Sequence, residues 1–389
     1  MAELLTFGCR LNGHESAVIG QLTAGMDALI VNTCAVTHEA EQQARQAIRR
    51  AVREHPGRQI VVTGCAAEIA PAAWAGLPGV TRVVAQSAKL EPATWGGTAS
   101  KADHGGHARA TIAVQQGCDH SCTFCVIPQG RGPNRSMPIG LLVEQARAAV
   151  AAGFAEIVLT GVDMASYGAD LPGRPPLGQM IRRLLALVPE LPRLRLSSID
   201  PAAIDDDLWR LLAEEPRLMP HLHLSVQAGH DIILKRMRRR HLRDDVLAVV
   251  SRARRLRPGV AIGADLIAGF PTETDAQANA TRALIEEADF AYTHVFPYSP
   301  RPSTPAARMP QVPVALRRER AARLRETASV RTTAFLAGQI GLTACVLIET
   351  GARGHAENYA PVRLTGPRRQ IVRARITGID GGTLLAEAA

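Results

Sequence analysis

The sequence has few aromatic residues, almost no lysine and no long apolar run, and each shortage narrows the class of protein. No apolar run approaches the roughly 18 to 20 residues of a membrane-spanning helix, so a membrane partner is not expected. Aromatic residues make up 4% of the 389 residues, too few for a broad surface on which bases stack. The first residues carry no basic segment and only a short apolar run, which predicts no secretory signal and a cytoplasmic protein.

The basic residues are almost all arginine, because lysine occurs only at Lys89, Lys101 and Lys235. The 45 basic residues outnumber the 36 acidic ones and give a formal net charge of +9. Such a charge favours an anionic partner, with nucleic acid the first candidate. A composition rich in arginine and alanine also follows from genome bias, so the charge alone does not identify the partner.

An odd number of cysteines, seven in all, favours metal ligands over a disulfide framework. Three of them, Cys118, Cys122 and Cys125, are spaced C-x3-C-x2-C on one short loop. Three thiolates at this spacing suit three irons of a cuboidal cluster and leave a fourth iron open to bind a small molecule. A zinc site is the alternative, but structural zinc usually takes four ligands from two close pairs, and no second pair stands nearby.

Three other cysteines each end a short apolar run near the start of the chain. Cys9, Cys34 and Cys65 stand at these positions, and a helical stretch follows each run. Strands that alternate with helices predict an α/β domain with a parallel sheet, in which the carboxyl ends of the strands share one edge. The three thiols should therefore converge on a second cluster, again with one open iron. The alternative is that each cysteine is a small buried core residue.

Six β-type runs separated by helical patterns occupy the middle of the chain. They cover residues 110–115, 156–161, 194–198, 221–226, 261–267 and 291–296. Six βα units are fewer than the eight of a closed barrel, so the pattern predicts an open (βα)6 partial barrel with functional loops after its strands. The loop that carries Cys118, Cys122 and Cys125 follows the first of these strands.

Small, polar or acidic residues follow the later strands and could bind a cofactor through hydrogen bonds. We predict such contacts for Gly161, Ser198, Asp200, Gln227 and Asp265. Turn chemistry alone also places glycine, serine and aspartate at strand ends, so this alternative stays open for each residue. His221 and His223 share one face of a strand, and we interpret them as buried or bridging histidines without a metal.

Two arginine-rich segments lie in the second half of the chain. The run 235–243 could hold the backbone of a polyanion, because guanidinium groups suit phosphate, or it could be a solvated face. The segment 317–331 is typical of an exposed helix face with Leu324 buried.

Residues 335–389 change to short alternating strands with turns between them, which predicts a small β-barrel. Its basic face would carry Asn358 and Tyr359 together with Arg363, Arg368, Arg369, Arg373 and Arg375. Cys345 has no companion cysteine in this part of the chain, so we predict a core residue.

Three sets of motifs together resemble one family over nearly the whole chain. The segment 117–128, including Phe124 just before the last cysteine, resembles the signature of the radical S-adenosylmethionine (SAM) superfamily. The segments around Cys9, Cys34 and Cys65 resemble the methylthiotransferase N-terminal domain, and the C-terminal strands resemble the TRAM RNA-binding domain. The chain is therefore similar to the tRNA and ribosomal-protein methylthiotransferases, which are radical SAM enzymes with two 4Fe-4S clusters.

The resemblance implies a role for each cysteine motif. Cys118, Cys122 and Cys125 would ligate the catalytic cluster, whose open iron binds SAM, and Cys9, Cys34 and Cys65 would ligate an auxiliary cluster that carries the incoming sulfur. The implied SAM contacts are Phe124, Gly161, Ser198, Asp200, Gln227 and Asp265. The implied domains are a methylthiotransferase N-terminal domain at 1–95, a linker at 96–108, a radical SAM core at 109–330 and a TRAM-like domain at 335–389.

The substrate implied by the resemblance is tRNA, bound through its anticodon stem-loop. Motifs within 8–12, 235–239 and 295–306 are most similar to the branch that acts on N6-threonylcarbamoyladenosine at position 37 of tRNA. Isopentenyladenosine in tRNA or a ribosomal-protein aspartate is the alternative substrate, and an iron-sulfur RNA-binding regulator without turnover is the alternative class. The expected protein is a monomer that works with a flavodoxin- or ferredoxin-like electron donor and a sulfur source.

The sequence departs from the family at three positions. Thr272 stands where the family usually has glycine, Ser225 where it has proline, and Ser303 where it has glycine. None of these departures removes a cysteine, so catalysis stays expected, while the shapes of the SAM and substrate loops are open to change.

Overall fold

Residues 2–96 form a four-stranded parallel sheet with helices between its strands. The computed structural model describes these residues and residues 107–389, so the predicted linker at 96–108 lies almost entirely outside the described residues. The strands follow the order β1-β2-β3-β4. The elements are β1 (Glu3–Thr6), α1 (Arg10–Leu22), β2 (Ala28–Thr33), α2 (His38–Glu54), β3 (Gln59–Gly64), α3 (Cys65–Ile69), α4 (Pro71–Ala75), β4 (Val80–Val83) and α5 (Pro92–Trp95).

Helices cover both faces of this sheet. Ile48 of α2 packs with Val31 in the core on one face, and Ile19 of α1 packs with Ile30 in the core on the other. Every residue of β2 is buried, as is usual for a parallel strand covered on both sides. The predicted α/β domain with a parallel sheet is therefore confirmed.

The six predicted parallel strands are present in the central part of the chain, the third of them as two segments. The elements are β5 (Ala110–Gln116), α6 (Ile127–Arg131), β6 (Arg135–Ser136), α7 (Ile139–Ala151), β7 (Glu156–Gly161), α8 (Leu177–Leu187), β8 (Arg193–Leu196), β9 (Ser198–Ile199), α9 (Asp206–Glu214), β10 (His221–Gln227), α10 (Asp231–Met237), α11 (Arg243–Leu256), β11 (Ala261–Ala268), α12 (Asp275–Glu287) and β12 (Tyr292–Pro297), with short 3-10 turns at Met164–Ser166, Pro201–Ala203 and Pro305–Arg308.

The third predicted strand is divided at Ser197, and the division links two halves of the barrel. β8 pairs in parallel with β7, which pairs with β5, while β9 pairs in parallel with β10 and leads on to β11 and β12. The short strand β6 runs antiparallel to β5 at one outer edge, and β12 lies at the other. The described strands therefore form an open barrel.

The two faces of the barrel strands differ in polarity because side chains alternate along a strand. In β10, Leu222 and Leu224 belong to the apolar core under the helices. The alternate residues point into the barrel lumen, and His223, Asp265 and His294 meet there through hydrogen bonds between neighbouring strands. The lumen therefore has a polar lining on the side where barrel proteins bind their ligands.

Helix α13 (Val314–Ala337) connects the central and C-terminal parts of the chain. Leu324 packs in the central core, as predicted, and Leu336 packs in the C-terminal core. The predicted exposed arginine face is wrong for Arg317 and Arg320, because the loop that contains Glu273 covers this side of the helix and Arg320 pairs with that carboxylate at 3.0 Å. Neither α13 nor any other described helix is long and apolar enough to span a membrane.

A closed five-stranded barrel ends the chain, which confirms the predicted small β-barrel. Its strands follow the order β13-β14-β15-β17-β16 and are β13 (Thr343–Thr350), β14 (Arg353–His355), β15 (Pro361–Arg363), β16 (Ile371–Asp380) and β17 (Thr383–Ala388). Cys345 is half-buried and not in the core, contrary to the prediction. Alternation along β13 directs Val346 and Ile348 into the barrel core and leaves Cys345 on the opposite face.

The prediction for Tyr359 is also wrong. This residue lies where three parts of the chain meet and not on an open basic face. Its hydroxyl accepts a hydrogen bond from Arg10 Nη2 at 3.0 Å, and its ring centre lies 5.1 Å from that of His221. The guanidinium carbons of Arg195 and Arg109 lie 4.9 and 5.3 Å from its ring centre. Tyr359 therefore fastens the C-terminal barrel to the lumen of the central one.

Candidate functional site

The loop of Cys118, Cys122 and Cys125 lies between β5 and α6, at the carboxyl end of the first barrel strand. Backbone hydrogen bonds hold it to three distant segments. Cys118 N–H donates to the carbonyl of residue 132 at 3.1 Å, and Thr123 N–H donates to that of residue 237 at 3.1 Å. The Thr123 carbonyl accepts from the amide of residue 306 at 2.9 Å. The cysteines are thus presented on a fixed loop.

Hydrogen-bond donors surround the three sulfurs of this loop. The amide N–H groups of residues 120 and 127 lie 3.4 Å from the Sγ atoms of Cys118 and Cys125, and Arg239 Nη1 lies 3.7 Å from Cys122 Sγ. Burial raises the pKa of Cys118 to about 11 and that of Cys125 to about 12, so both are thiols until a metal displaces the protons. Donors aimed at sulfur favour the thiolate form, so this set of residues fits an iron-sulfur cluster.

Cys9, Cys34 and Cys65 follow the carboxyl ends of β1, β2 and β3, so the parallel sheet brings them to one edge as predicted. Close approach of the backbone is visible at Gly8, where an added Cβ would lie 2.5 Å from Cys34 Sγ. Burial raises the pKa of Cys34 to about 11, and Cys9 and Cys65 are near enough to raise it further. Three thiols therefore lie together at this edge, which suits a second cluster.

One short helix separates the two cysteine sets. Val126 follows Cys125 directly, and its side chain packs in the core of the N-terminal sheet. Gly130 of α6 lies against α3, and an added Cβ there would be 3.0 Å from Cys65 Cβ. The two sets are thus held next to each other by direct packing of α6 on α3.

A buried ion network fastens this arrangement, and sequence reasoning missed it. Arg131 of α6 pairs with both carboxylate oxygens of Glu15, at 2.8 and 2.9 Å, and donates to Asn12 Oδ1 at 2.5 Å. Lys89 Nζ lies 2.6 Å from Glu15 Oε2. Although burial alone would raise it, the charges of Lys89 and Arg131 hold the pKa of Glu15 below its ordinary value. No local spacing in the sequence connects these residues.

Replacing Arg131 with methionine should destabilise the protein strongly. The change leaves the Glu15 carboxylate buried with one fewer positive partner, and breaking a buried pair in this way costs about 3 to 5 kcal/mol. Urea denaturation followed by circular dichroism measures the free energy of unfolding. Arg50→Met is the matched control, because Arg50 is exposed and its pair with Glu54 spans 3.9 Å, so we expect a change within about 0.5 kcal/mol. Equal stability of the two variants would contradict the structural role of Arg131.

The residues predicted to contact SAM lie around the mouth of the barrel. Gly161 and Gln227 end β7 and β10, and Ser198 begins β9. Phe124 packs edge-to-face against Phe270, with ring centres 6.4 Å apart, in an apolar cluster beside the cysteine loop. The contacts of these four residues with SAM stay a prediction.

Asp200, another predicted SAM contact, is held by basic residues. Its Oδ2 accepts hydrogen bonds from Arg239 at 3.1 Å and from Arg240 at 3.2 Å. Burial alone would raise its pKa, but His241, whose Nδ1 lies 3.5 Å from Asp200 Oδ1, and the two arginine charges hold that pKa well below the ordinary value. Arg239 also faces Cys122, so the basic run 235–243 is not a uniform solvated face. No pattern in the sequence indicates that Arg239 turns inward.

Asp265 likewise has partners within the lumen. Its Oδ1 lies 2.9 Å from His223 Nε2 and 3.1 Å from His294 Nδ1, and its Oδ2 lies 3.4 Å from Ser198 Oγ. Although burial alone would raise it, the two histidines hold the pKa of Asp265 well below its usual value. The carboxylate is therefore ionised and accepts from both imidazoles. Its predicted contact with SAM stays a prediction without support from these contacts.

Thr272 adopts the backbone conformation of the glycine that the family usually has. Its φ is +65°, in the left-handed region that a β-branched residue rarely occupies. Arg236 Nη1 donates to Thr272 Oγ1 at 2.7 Å, and the Thr272 amide donates to the carbonyl of residue 310 at 3.0 Å. These contacts offset the backbone strain and hold Thr272 in a conformation that favours glycine.

Comparison with known proteins places these features in a family. Residues 112–285 match the Radical SAM superfamily, and residues 2–85 match the "Uncharacterized protein family UPF0004". The "Threonylcarbamoyladenosine tRNA methylthiotransferase MtaB" of Rickettsia prowazekii is 48% identical over 402 residues, which cover 98% of this chain and 96% of the relative. The chain belongs to the tRNA methylthiotransferase family. The family implies a 4Fe-4S cluster and SAM, and it makes the chain an enzyme that transfers a methylthio group.

Relatives named for a different substrate are also similar. The "tRNA-2-methylthio-N(6)-dimethylallyladenosine synthase" of Erythrobacter litoralis is 34% identical, covering 88% of this chain and 85% of the relative. Among solved structures, the radical SAM methyltransferase TsrM of Kitasatospora setae has a TM-score of 0.53 at 16% identity, covering 77% of this chain and 69% of that one. The likeness to TsrM shows a shared fold alone.

Proposed function

We propose that this enzyme adds a methylthio group to C2 of N6-threonylcarbamoyladenosine at position 37 of tRNA. The observation that carries the proposal is the pair of three-cysteine sets, each at the carboxyl edge of a parallel sheet and separated by the single helix α6. Similarity to the methylthiotransferase of Rickettsia prowazekii over nearly the whole chain supports this substrate.

We assign Cys118, Cys122 and Cys125 to a 4Fe-4S cluster with one iron open to SAM, and Cys9, Cys34 and Cys65 to a second cluster that carries sulfur. When bound, the first cluster supplies the electron that cleaves SAM, and a second SAM molecule supplies the methyl group. Arg239 holds Asp200 beside Cys122, and the amide of residue 120 donates to Cys118. We infer that SAM would bind on this side of the loop, beside Asp200.

We assign a chemical role to each of the three domains, whose boundaries lie at 95, 109, 330 and 335. The N-terminal domain would carry sulfur, the radical SAM core would cleave SAM, and the closed TRAM-like barrel would hold the anticodon stem-loop. Exposed Arg373 and Arg375 on β16 supply positive charge for phosphate, whereas Arg363 on β15 pairs with Asp380 at 2.8 Å. A flavodoxin- or ferredoxin-like donor and a sulfur source complete the reaction.

The proposal is tested with purified, iron-reconstituted protein, SAM, dithionite and sulfide. Three substrates are supplied separately: an anticodon stem-loop with threonylcarbamoyladenosine, one with isopentenyladenosine, and ribosomal protein. We expect a methylthio product, detected by mass spectrometry, from the first stem-loop only. Product from either other substrate, with none from the first, would overturn the proposed substrate.

A further inference from the structure

Three neighbouring strands build a polar group inside the barrel lumen that the cysteine chemistry does not use. Asp265 of β11 is the direct strand partner of His294 in β12, and His223 lies on β10 at the other side. Both imidazoles bind the same carboxylate oxygen, at 2.9 and 3.1 Å. The carboxylate therefore fixes the orientation of both rings.

His294 is the member of this group that faces open space. Its side chain is 60% exposed, whereas that of His223 is 9% exposed. Nδ1 is the nitrogen committed to Asp265, which leaves Nε2 directed away from the carboxylate. In its imidazolium form, His294 donates one hydrogen bond to Asp265 and has a second donor for a ligand in the lumen.

Arg10 adds a second cation near the lumen, beside Tyr359. It follows Cys9 directly, is exposed, and makes a hydrogen bond to the neutral hydroxyl of Tyr359 at 3.0 Å. No carboxylate within 4.0 Å of its guanidinium is found among residues 2–96 and 107–389. A row of rings leads from Tyr359 to His294. The ring centres are 5.1 Å apart for Tyr359 and His221, 6.3 Å for His221 and His223, and 4.8 Å for His223 and His294.

The charge in this region is positive. Burial is the largest effect that lowers the pKa of His221, and the guanidinium charges of Arg195 and Arg10 lower it further. The nearby carboxylates already have partners, because Glu156 pairs with Arg195 and Arg109, and Asp265 binds two histidines. An anion that entered the lumen would therefore meet donors that are not fully neutralised.

This charge distinguishes between the two adenine substituents named for the relatives. Dimethylallyl is a hydrocarbon, and placing it against cationic donors would remove their hydration without a new hydrogen bond. Threonylcarbamoyl ends in an amino-acid carboxylate and carries a hydroxyl, both of which accept hydrogen bonds. Charge-assisted bonds from imidazolium and guanidinium to carboxylate are among the stronger hydrogen bonds in proteins.

We propose that His294 and Arg10 form the subsite that binds the carboxylate-bearing N6 substituent of the adenine, with Asp265 as the residue that positions His294. This inference rests on the proposed function. It identifies the residues that select the substrate, whereas the cysteine sets determine only which reaction is carried out.

The test is a double-mutant binding cycle. One change is a substitution in the protein, and the other is the loss of the carboxylate from the substrate. Two stem-loops are compared, one with threonylcarbamoyladenosine and one with the carboxamide in place of its carboxylate, by fluorescence anisotropy without reductant. We expect the unmodified protein to bind the acid form about tenfold or more tightly than the amide. His294→Leu and Arg10→Gln should each lose most of that preference, and His294→Gln should retain part of it. His55→Leu, at an exposed histidine after α2, should retain it fully.

The outcomes separate this inference from the proposed function. If His294→Leu and Arg10→Gln both kept the full preference for the acid form, the inference would be overturned. It would also be overturned if these variants lost affinity for the two stem-loops equally, because the effect would then not depend on the carboxylate. The inference would also be overturned if the protein without substitutions methylthiolated the acid form but did not bind it more tightly than the amide. The proposed function would then still stand. A protein that modifies neither form would remove the proposed function itself. Iron content and SAM cleavage in each variant report that the cluster is intact.

Discussion

Replacing Cys122 with alanine is expected to abolish SAM cleavage, so that no 5'-deoxyadenosine appears above background. The loop offers three thiols, and removal of one leaves too few protein ligands for a cluster with a single open iron. Cys122 is also the sulfur that Arg239 faces at 3.7 Å, on the side held by Asp200. Liquid chromatography of reactions with SAM and dithionite, without tRNA, measures the product.

Cys345→Ala is the matched control for Cys122→Ala. Cys345 is another free, half-buried cysteine, but it lies on β13 in the C-terminal barrel. Its loss should leave the rate of 5'-deoxyadenosine formation unchanged. If Cys122→Ala cleaved SAM at the rate of the control, Cys122 would not be a ligand of the catalytic cluster.

Replacing Cys34 with alanine should separate SAM cleavage from methylthiolation. We expect 5'-deoxyadenosine to form still, because the loop at 117–128 is untouched, whereas no methylthiolated nucleoside should appear. Cys34 is 4% exposed and alanine is smaller, so the sheet should tolerate the change. Iron content should fall by about half, since one of two similar clusters would be lost. Mass spectrometry of the RNA and colorimetric iron analysis are run on the same preparation.

Full methylthio product from Cys34→Ala would contradict the sulfur-carrier role of the N-terminal set. Loss of both activities would instead show that the packing of α6 on α3 makes the catalytic loop depend on the N-terminal domain. The Arg131→Met variant tests this dependence, because it weakens the attachment of α6 to the N-terminal domain without removing a thiol.

The cysteine sites could be predicted because they depend on local patterns. Three cysteines within eight residues must share a loop, and three cysteines after consecutive parallel strands must share a sheet edge. The open barrel and the small closed barrel followed from the period of the apolar residues in the same way. Division of the third strand at Ser197 was not visible, because it depends on pairing with β7 on one side and β10 on the other.

The rest depends on partners that are distant in sequence. The partner of Arg131 is Glu15, and Asp200 is held by Arg239 and Arg240, so no spacing rule connects them. Arginines were predicted from charge to be solvated, yet Arg317 and Arg320 are buried because backbone carbonyls and Glu273 accept their hydrogen bonds. Composition gives the number of charges, whereas only the fold gives their partners.

We propose above that this protein makes 2-methylthio-N6-threonylcarbamoyladenosine in tRNA. The most direct measurement is mass spectrometry of tRNA nucleosides from a host that lacks its own threonylcarbamoyladenosine methylthiotransferase, with and without this gene. The account predicts that the methylthiolated nucleoside appears with the gene and is absent without it. No such nucleoside, in cells whose purified protein holds iron and cleaves SAM, would contradict the account and direct attention to the other tRNA base or to the ribosomal protein.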